Sequence, residues 1–449
     1  MNDRSVSIEV PVFKGAFLRP CVESVLAQTS RDWTLSLSWD GGDRQSLEVL
    51  EALQREGHPR IQVYFTENQG IAATRRFLTD RSSGAWVLPL DDDDMLAPHA
   101  VARFLQFAAE HPWASLVRAR RGLIGPSGAT SREGPLFPFS LRNYWRGMVT
   151  DPFNQAQPYI IRRSAYRRTQ GWRGFADFKG AGEDCDIFLQ LEEVAHFELI
   201  DEILYYYRVH DTRASVDLKP EAGYEMWRRL IDATLARLGL PLKRSSTMPP
   251  FIYEGLPVPQ AGIEDVDFVI GGSEGATTES LRRCGIADSA IHAVTDCESS
   301  IGWQMTGFRM SAKPLVCFMH EDVAIADRTA LEKLIGVMNV ARADVVAIRA
   351  HPGTGGLLLL RREVILATGG FDSEWAPPSL RELDLWLQAR RREFRCIGTA
   401  VAGINAPAPA DSQPTAEDVV MLQAKWASYP ALLAELASGG DESTGRAPA

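Results

Sequence analysis

Apolar and polar positions alternate between two periods along the first hundred residues. Ser7 to Val12 is a short apolar run that reads as a buried strand, with Pro11 near its end because proline cannot donate into a ladder. Leu18, Val22, Val25 and Leu26 then recur at helical spacing. Trp33 to Trp39 reads as a strand, Leu47 to Gln54 as a helix and Ile61 to Phe65 as a strand. A helix over Ile71 to Thr79 precedes a fourth strand, Trp86 to Leu90. Such alternation with short turns predicts an α/β fold, a mostly parallel sheet with helices on both faces.

The pattern weakens over Gly122 to Phe139, which is rich in Gly, Pro and Ser and reads as a loop. It returns as a helix over Ile187 to Val194, a strand over Ile203 to Val209 and an amphipathic helix over Glu221 to Leu238. Pro241, Pro249, Pro250, Pro257 and Pro259 mark a linker. A second αβ segment runs from about Val266 to Ile404, followed by a helix near Ala416 to Leu436 and a small, polar tail after Ser438 that reads as disordered. The expected organisation is a first domain over 1–240, a linker over 241–262, a shortened domain over 263–405, and a C-terminal helix and tail over 406–449.

Charge narrows the partners. A formal net charge of -10 over 449 residues argues against nucleic acid, which needs a basic face, but leaves a nucleotide open because a divalent cation can supply positive charge. The 6 cysteines form no C-x-x-C pair, which predicts reduced thiols. The N-terminus shows no export signal, and no run reaches the ~18 apolar residues of a membrane span. The expectation is a cytoplasmic chain, at most peripherally associated with the inner face of a membrane.

The strongest chemical signal is Asp91-Asp92-Asp93-Asp94, at the carboxyl end of the fourth strand. Four adjacent carboxylates repel one another, and the run persists only if solvent or a cation compensates it. Ligands of open α/β sheets gather outside the carboxyl ends of strands, and oxygen ligands there suit Mg2+ or Mn2+ shared with substrate phosphates. An acidic surface turn is the plain alternative. The neighbours favour a site. Asp40-Gly41-Gly42-Asp43 follows the second strand, and Asn68-Gln69-Gly70 follows the third, with Arg75 about a turn further on, where a guanidinium can meet a diphosphate.

In their order and spacing these pieces resemble family 2 glycosyltransferases of the GT-A fold. They are Val10-Pro11-Val12-Phe13, Ser24 to Thr29, Trp39 to Asp43, Asn68-Gln69-Gly70 with Arg75, Gly84, and Leu90 to Asp94. The likeness covers roughly residues 5 to 215. It implies that Asp40 contacts a nucleotide base, and that Asp91 and Asp93 form a D-x-D motif handling ribose, metal and diphosphate. Four aspartates in a row leave the register open by one residue. Pro11, Phe13, Asn68, Gly70, Arg75 and Asp92 join the expected donor-binding set.

Gly180-Ala181-Gly182-Glu183-Asp184, after Gly171-Trp172, also resembles the family, in which the aspartate matching Asp184 deprotonates the acceptor hydroxyl. One carboxylate facing the anomeric carbon suffices for that step. A helix cap is the plain alternative, but it leaves the preceding glycines unexplained. Glu183 and Trp172 are expected on the acceptor side. Tyr205-Tyr206-Tyr207-Arg208-Val209-His210 resembles the family's Tyr-Arg-x-His element, which implies His210 beside Asp93 as a metal or diphosphate contact.

The second half reads as a shortened copy. Pro314 to Val323 resembles the strand and D-x-D element, and aligning Asp384 to Gln388 with Asp186 to Gln190 sets Glu382 at the Asp184 position. No second-strand aspartate is evident between Phe268 and His320, so the copy reads as a degenerate GT-A-like domain for acceptor binding or assembly. A second active site using His320, Glu321, Asp322 and Glu382 is the alternative.

The resemblance thus implies metal-dependent, inverting transfer from a nucleotide-sugar donor of the UDP- or dTDP-sugar class to a glycan or lipid-linked glycan acceptor, in surface polysaccharide biosynthesis. A nucleotidyltransferase is the competing enzyme, but Pro11 to Gly15 is a poor version of its glycine-rich basic loop. A non-catalytic nucleotide- or glycan-binding protein would have broken first-half carboxylates, and they are present.

Overall fold

A computed structural model of the chain describes residues 5–125, 130–132, 158–175, 182–192, 194, 197–210, 220–238, 242–244, 253–255, 260–296, 302–348, 356–372, 380–391, 394–407, 414–427 and 429–437. The chain divides into two compact units, Met1–Arg237 with Leu242–Gly255, and Leu238–Pro241 with Leu256–Ala449.

The first unit opens with the predicted alternation: β1 (Val6–Val12), α1 (Leu18–Leu26), β2 (Trp33–Asp40), α2 (Arg44–Glu56), β3 (Ile61–Thr66), α3 (Ile71–Arg81) and β4 (Trp86–Pro89). It continues through β5 (Met95–Leu96), α4 (Ala100–Glu110), β6 (Leu116–Ile124), β7 (Thr130–Arg132), β8 (Tyr159–Arg162), α5 (Arg163–Tyr166), α6 (Glu183–Glu192), β9 (Phe197–Arg208) and α7 (Pro220–Leu238). A short hairpin, β10 (Leu242–Arg244) with β11 (Tyr253–Gly255), occupies part of the stretch expected as a linker. The main sheet runs β3-β2-β1-β4-β8-β6-β9-β5. Its first four strands are parallel, as the crossover helices require, and β8 enters antiparallel between β4 and β6. Val6, Ile8, Val10, Leu35, Leu37 and Leu88 meet Leu18, Val22, Val25 and Phe104 in one buried core. Each such side chain contributes about 1.5–3 kcal/mol of burial.

The second unit comprises β12 (Val266–Gly271), α8 (Ala276–Arg283), β13 (Ile291–Val294), α9 (Gly302–Met310), β14 (Leu315–His320), β15 (Ala324–Ile325), α10 (Arg328–Ala341), β16 (Val345–Ile348), β17 (Leu357–Arg361), α11 (Arg362–Thr368), α12 (Arg381–Arg391), β18 (Cys396–Thr399), β19 (Ile404–Asn405), α13 (Ala416–Lys425) and α14 (Pro430–Ala437). Its sheet runs β13-β12-β14-β17-β16-β18, with β15 paired to β19. Strand for strand this is β2-β1-β4-β8-β6-β9 with β5 on β9, and each pairing has the same sense as its counterpart. Among the described residues α2 and β3 have no counterparts, and α9 follows β13 within eight residues, which accounts for the shortening.

Two expectations are corrected here. Register sets Ile270 beside Ala293 as it sets Val10 beside Leu37, so Asp296 stands where Asp40 stands, and the second strand does carry its aspartate. It escaped notice because β13 is short and only half-buried, giving little apolar signal. The C-terminal helix is not a separate appendage. Lys425 is buried against Asp372 (2.7 Å) and Asp384 (3.0 Å), and Trp426 and Leu422 pack on Leu380 and Leu387. The tail after Ser438 lies outside the described residues.

Candidate active site

The site forms at the carboxyl ends of β1, β2 and β4, where the loops are stitched to one another through acidic side chains. Asp92 Oδ2 accepts the backbone N–H groups of Phe13 (2.8 Å) and Lys14 (3.0 Å). Asp43 caps α2 by accepting Ser46 N–H at 2.7 Å and also accepts Gly15 N–H at 3.1 Å. Between them Gly42 allows the β1 loop to close, since a Cβ there would lie 2.0 Å from the Phe13 carbonyl oxygen. Asp40 ends β2, and its two oxygens accept Gln69 N–H (2.9 Å) and Gly70 N–H (3.0 Å). That clasp fixes the start of α3, with Gly70 at φ 84°, and thereby aims Arg75 one turn on. Pro11 is half-buried, while Phe13 and Asn68 are exposed on the rim.

The four aspartates divide by direction. Asp94 is fully buried: Oδ2 accepts the Tyr205 hydroxyl at 2.6 Å and Oδ1 accepts Arg208 N–H at 2.7 Å. Asp92 serves the Phe13 loop. Asp91 and Asp93 keep side chains 29% and 25% exposed, which favours the Asp91-x-Asp93 register. Asp91 pairs with Arg75 Nη2 at 2.6 Å, and Asp93 meets His210 Nε2 at 2.9 Å. Burial pushes Asp92 up to about 7, with Asp93 adding to it and the Phe13 and Lys14 amides opposing. Burial and the Asp91 charge raise Asp93, against the pull of His210.

Arg75 joins this run to the start of α6. Its Nε donates to Glu183 Oε1 at 3.2 Å, so a single guanidinium links Asp91 and Glu183. Burial works against its charge, but Asp91 and then Glu183 outweigh burial and hold it cationic. Nη1 is buried without a partner. Burial, with Asp184 next to it, pushes Glu183 up to about 7. Burial also raises Asp184, whose Oδ1 accepts Cys185 N–H at 2.7 Å. Asp91, Asp93, Arg75, Glu183, Asp184 and His210 are thus brought to one region, and Asp40 braces it through Gly70.

Trp172 does not face an acceptor. It is 2% exposed, its indole N–H donates to Thr79 Oγ1 at 2.9 Å, and its ring lies 5.5 Å beneath the Arg75 guanidinium. A buried indole needs a hydrogen-bond partner, and Thr79 of α3 supplies it, so the tryptophan backs the site from the core side. Glu183, also expected on the acceptor side, is buried on Arg75.

Sequence reading passed over two contributors. Tyr159, at the start of β8, is 0% exposed, stacks edge-on with Phe188 of α6 at 4.6 Å, and has an unpartnered hydroxyl. Burial raises its pKa well above the usual phenol value, and it feels the charges of Arg75, Asp184, Glu183 and Asp91. It therefore stays protonated as a hydrogen-bond donor. Nothing in Tyr159-Ile160-Ile161 distinguishes it from core. Arg208 stacks on Phe17 and donates to the Asp93 carbonyl oxygen at 2.8 Å, holding the acidic turn in shape. Its place in the tyrosine-rich run was the available signal.

Among the described residues no group of three or more His, Cys, Asp and Glu side chains is arranged as a closed metal cage. Asp93 and His210 do fit an open site. Mg2+ and Mn2+ take one or two protein ligands and complete their shells with water and phosphate oxygens. The orphan Arg75 Nη1 fits the same picture, since it lacks the acceptor that a phosphate or sugar oxygen provides.

A doubly wound sheet with acidic loops at its carboxyl edge gives the first unit the GT-A glycosyltransferase fold. The family model described as glycosyl transferase family 2 matches residues 7–169. These residues make the first unit a member of glycosyl transferase family 2. Similar relatives include a chondroitin synthase of Pasteurella multocida (strain Pm70), 29% identical over 214 residues, covering 47% of this chain and 21% of that one. A chondroitin synthase of Escherichia coli is 27% identical over 239 residues, covering 52% and 33%. The match thus spans about a fifth to a third of the length of these relatives. Among solved structures, S. aureus TarS 1-349 in complex with UDP is 17% identical, covering 51% of this chain and 65% of that one, with a TM-score of 0.39.

Proposed function

We propose that the chain transfers a sugar, with inversion, from a nucleotide-diphosphate sugar of the UDP or dTDP class to a hydroxyl of a glycan or lipid-linked glycan in polysaccharide synthesis. The observation that carries this reading is the buried, unpartnered Arg75 Nη1, flanked by Asp91, Glu183 and Asp184 on the carboxyl edge of a family 2 domain.

Asp40 and the loop it clasps hold the base and ribose. Arg75 turns its unused N–H to a donor oxygen and keeps Asp91 in place through Nη2. Asp184 takes the proton of the acceptor hydroxyl. The acceptor oxygen then bonds the anomeric carbon from the face opposite the leaving group. The bond from that carbon to the phosphate oxygen breaks, and the nucleoside diphosphate departs with the electron pair. Asp93 and His210 would hold Mn2+ or Mg2+, which when bound offsets the charge of the leaving diphosphate. Burial raises the pKa of Asp184, which makes it a stronger proton acceptor toward the hydroxyl. No helix among the described residues is long and apolar enough to cross a membrane. The proposed transfer takes place at the cytoplasmic face, with at most peripheral membrane association.

Asp184→Asn tests the assignment, because it keeps size and removes basicity. UDP or dTDP should still raise the melting temperature in Mn2+, while transfer falls by at least about a hundredfold. Unchanged turnover would remove Asp184 from the mechanism, and no nucleotide response in wild type would remove the donor class.

A further inference from the structure

Hydrogen bonds align the two units residue by residue. The turn after β4 closes by Asp94 N–H to the Asp91 carbonyl at 3.2 Å, and the turn after β14 by Val323 N–H to the His320 carbonyl at 3.3 Å. Cys21 Sγ donates to the first of these carbonyls, and Thr277 Oγ1 to the second. His320, Glu321, Asp322 and Val323 therefore stand where Asp91, Asp92, Asp93 and Asp94 stand. Arg163 N–H binds the Ala85 carbonyl as Arg362 N–H binds that of Pro314, and counting back equally from both sets Gln304 at the Arg75 position. Gln190 donates to Asp186 as Gln388 donates to Asp384, which sets Arg381 at Glu183 and Glu382 at Asp184.

The chemistry at these places has changed. The guanidinium has become an amide, and Asp91 has become His320. Asp296, Asp322 and Glu382 keep the acid positions. His320 Nε2 lies 3.5 Å from Glu382 Oε1, and the half-buried Trp303 ring lies 5.3 Å from the His320 ring. Trp303 presses on the carboxyl end of β12, where a Cβ at Gly271 would come within 2.5 Å of the ring. Gln304 is 3% exposed and its Oε1 has no partner; that oxygen and Arg381 Nη1 both border Gly302.

A buried amide oxygen without a partner awaits a donor. The diphosphate of a nucleotide sugar has none to offer near neutral pH, and four acids, Glu321, Asp322, Glu382 and Asp296, outnumber the neighbouring Arg381 and repel an anion. Sugar hydroxyls donate, and the apolar C–H face of a pyranose packs on an indole. We propose that the second unit carries a metal-independent binding site for an uncharged sugar residue, with Gln304, Asp322 and Glu382 accepting its hydroxyls and Trp303 stacking on its ring. The proposal does not depend on the transferase reading, because binding can be measured without a donor.

The test is calorimetric titration of the full chain in EDTA with maltohexaose, chitohexaose and xylohexaose, and separately of UDP in Mn2+. At least one oligosaccharide should bind at one site per chain. Trp303→Ala and Glu382→Gln should each weaken it about tenfold, the first by removing the stacking face and the second by the worth of one hydrogen bond to a charged group. UDP binding should be unchanged. Gln304→Leu should weaken the sugar while raising the melting temperature of the free protein, which keeps the test open should Trp303→Ala fail to fold. No binding of any of the three at millimolar concentration overturns the proposal, as does binding that survives all three substitutions. UDP titrating at two sites, one of them lost in Asp322→Asn, overturns it in favour of a second nucleotide site.

Discussion

The two units share a strand order but leave opposite hydrogen-bonding atoms unused. In the first, the unpartnered groups beside the acids are donors, Arg75 Nη1 and the Tyr159 hydroxyl. In the second, the atom at the Arg75 position is an acceptor, Gln304 Oε1. One fold thus supplies places, and the side chains at those places decide whether an oxygen-rich anion or a hydroxyl-rich neutral ligand is favoured. The helical aspartate that follows makes the same point. Asp186 is held by Arg173, from the loop before α6, and its counterpart Asp384 by Lys425 and Trp426, from the C-terminal helix. The position is kept while its counter-ion comes from another part of the chain.

The largest expected effect is at Arg75. Arg75→Met leaves Asp91 and Glu183 without their shared cation, and should cost the first unit about 3–5 kcal/mol in denaturant unfolding as well as abolishing transfer. A matching loss from Gln304→Leu would show that the two positions are not opposed in chemistry.

Lys425→Met should destabilise the second unit by a comparable amount, about 3–5 kcal/mol, because it strands the buried Asp384 carboxylate and the half-buried Asp372 one. Adding Asp384→Asn should recover part of that loss. No recovery would mean that the lysine acts through packing alone.

Tyr159→Phe is a smaller change with effects of opposite sign. It should raise the unfolding free energy of the ligand-free protein by about 1 kcal/mol, since a buried hydroxyl without a partner is removed, and lower kcat/KM about tenfold. A structural role would move both downward.

The last comparison concerns pH. Burial pushes Glu9, on β1, up to about 7, against hydrogen bonds from Ser82 and Thr79, while its counterpart on β12 is Val269. Folded Glu9 keeps its proton to about pH 7, and the unfolded residue loses it near its ordinary value of 4.5. The folded state therefore binds more protons across that window, and Glu9 makes stability fall as pH rises from 4.5 to 7, by up to about 1.4 kcal/mol per pH unit. Glu9→Gln should flatten that slope in the first unit, followed by differential scanning calorimetry, and the Val269 unit should lack the contribution.

Periodicity and turn residues made most of the first unit legible, because strands such as β1 and β2 bury a continuous apolar run: β1, β2 and β3 fall within a residue of where the pattern put them. The site was legible as a set of acids but not in its division of labour. Four identical aspartates carry no sign of which two turn inward to Phe13, Lys14, Tyr205 and Arg208. Trp172 was placed on the acceptor side because it neighbours a motif, and only Thr79, which is distant in sequence, draws it into the core.

The amino-acid sequence by itself settled the αβ alternation, the family 2 motifs and the presence of a second, shorter copy, because these are properties of local spacing. Tertiary structure alone decided which polar atoms are left without a partner, that Asp296 stands where Asp40 stands, and that Lys425 belongs to the second core. Those facts depend on which segments meet across the sheet, and strand register, not sequence distance, sets that.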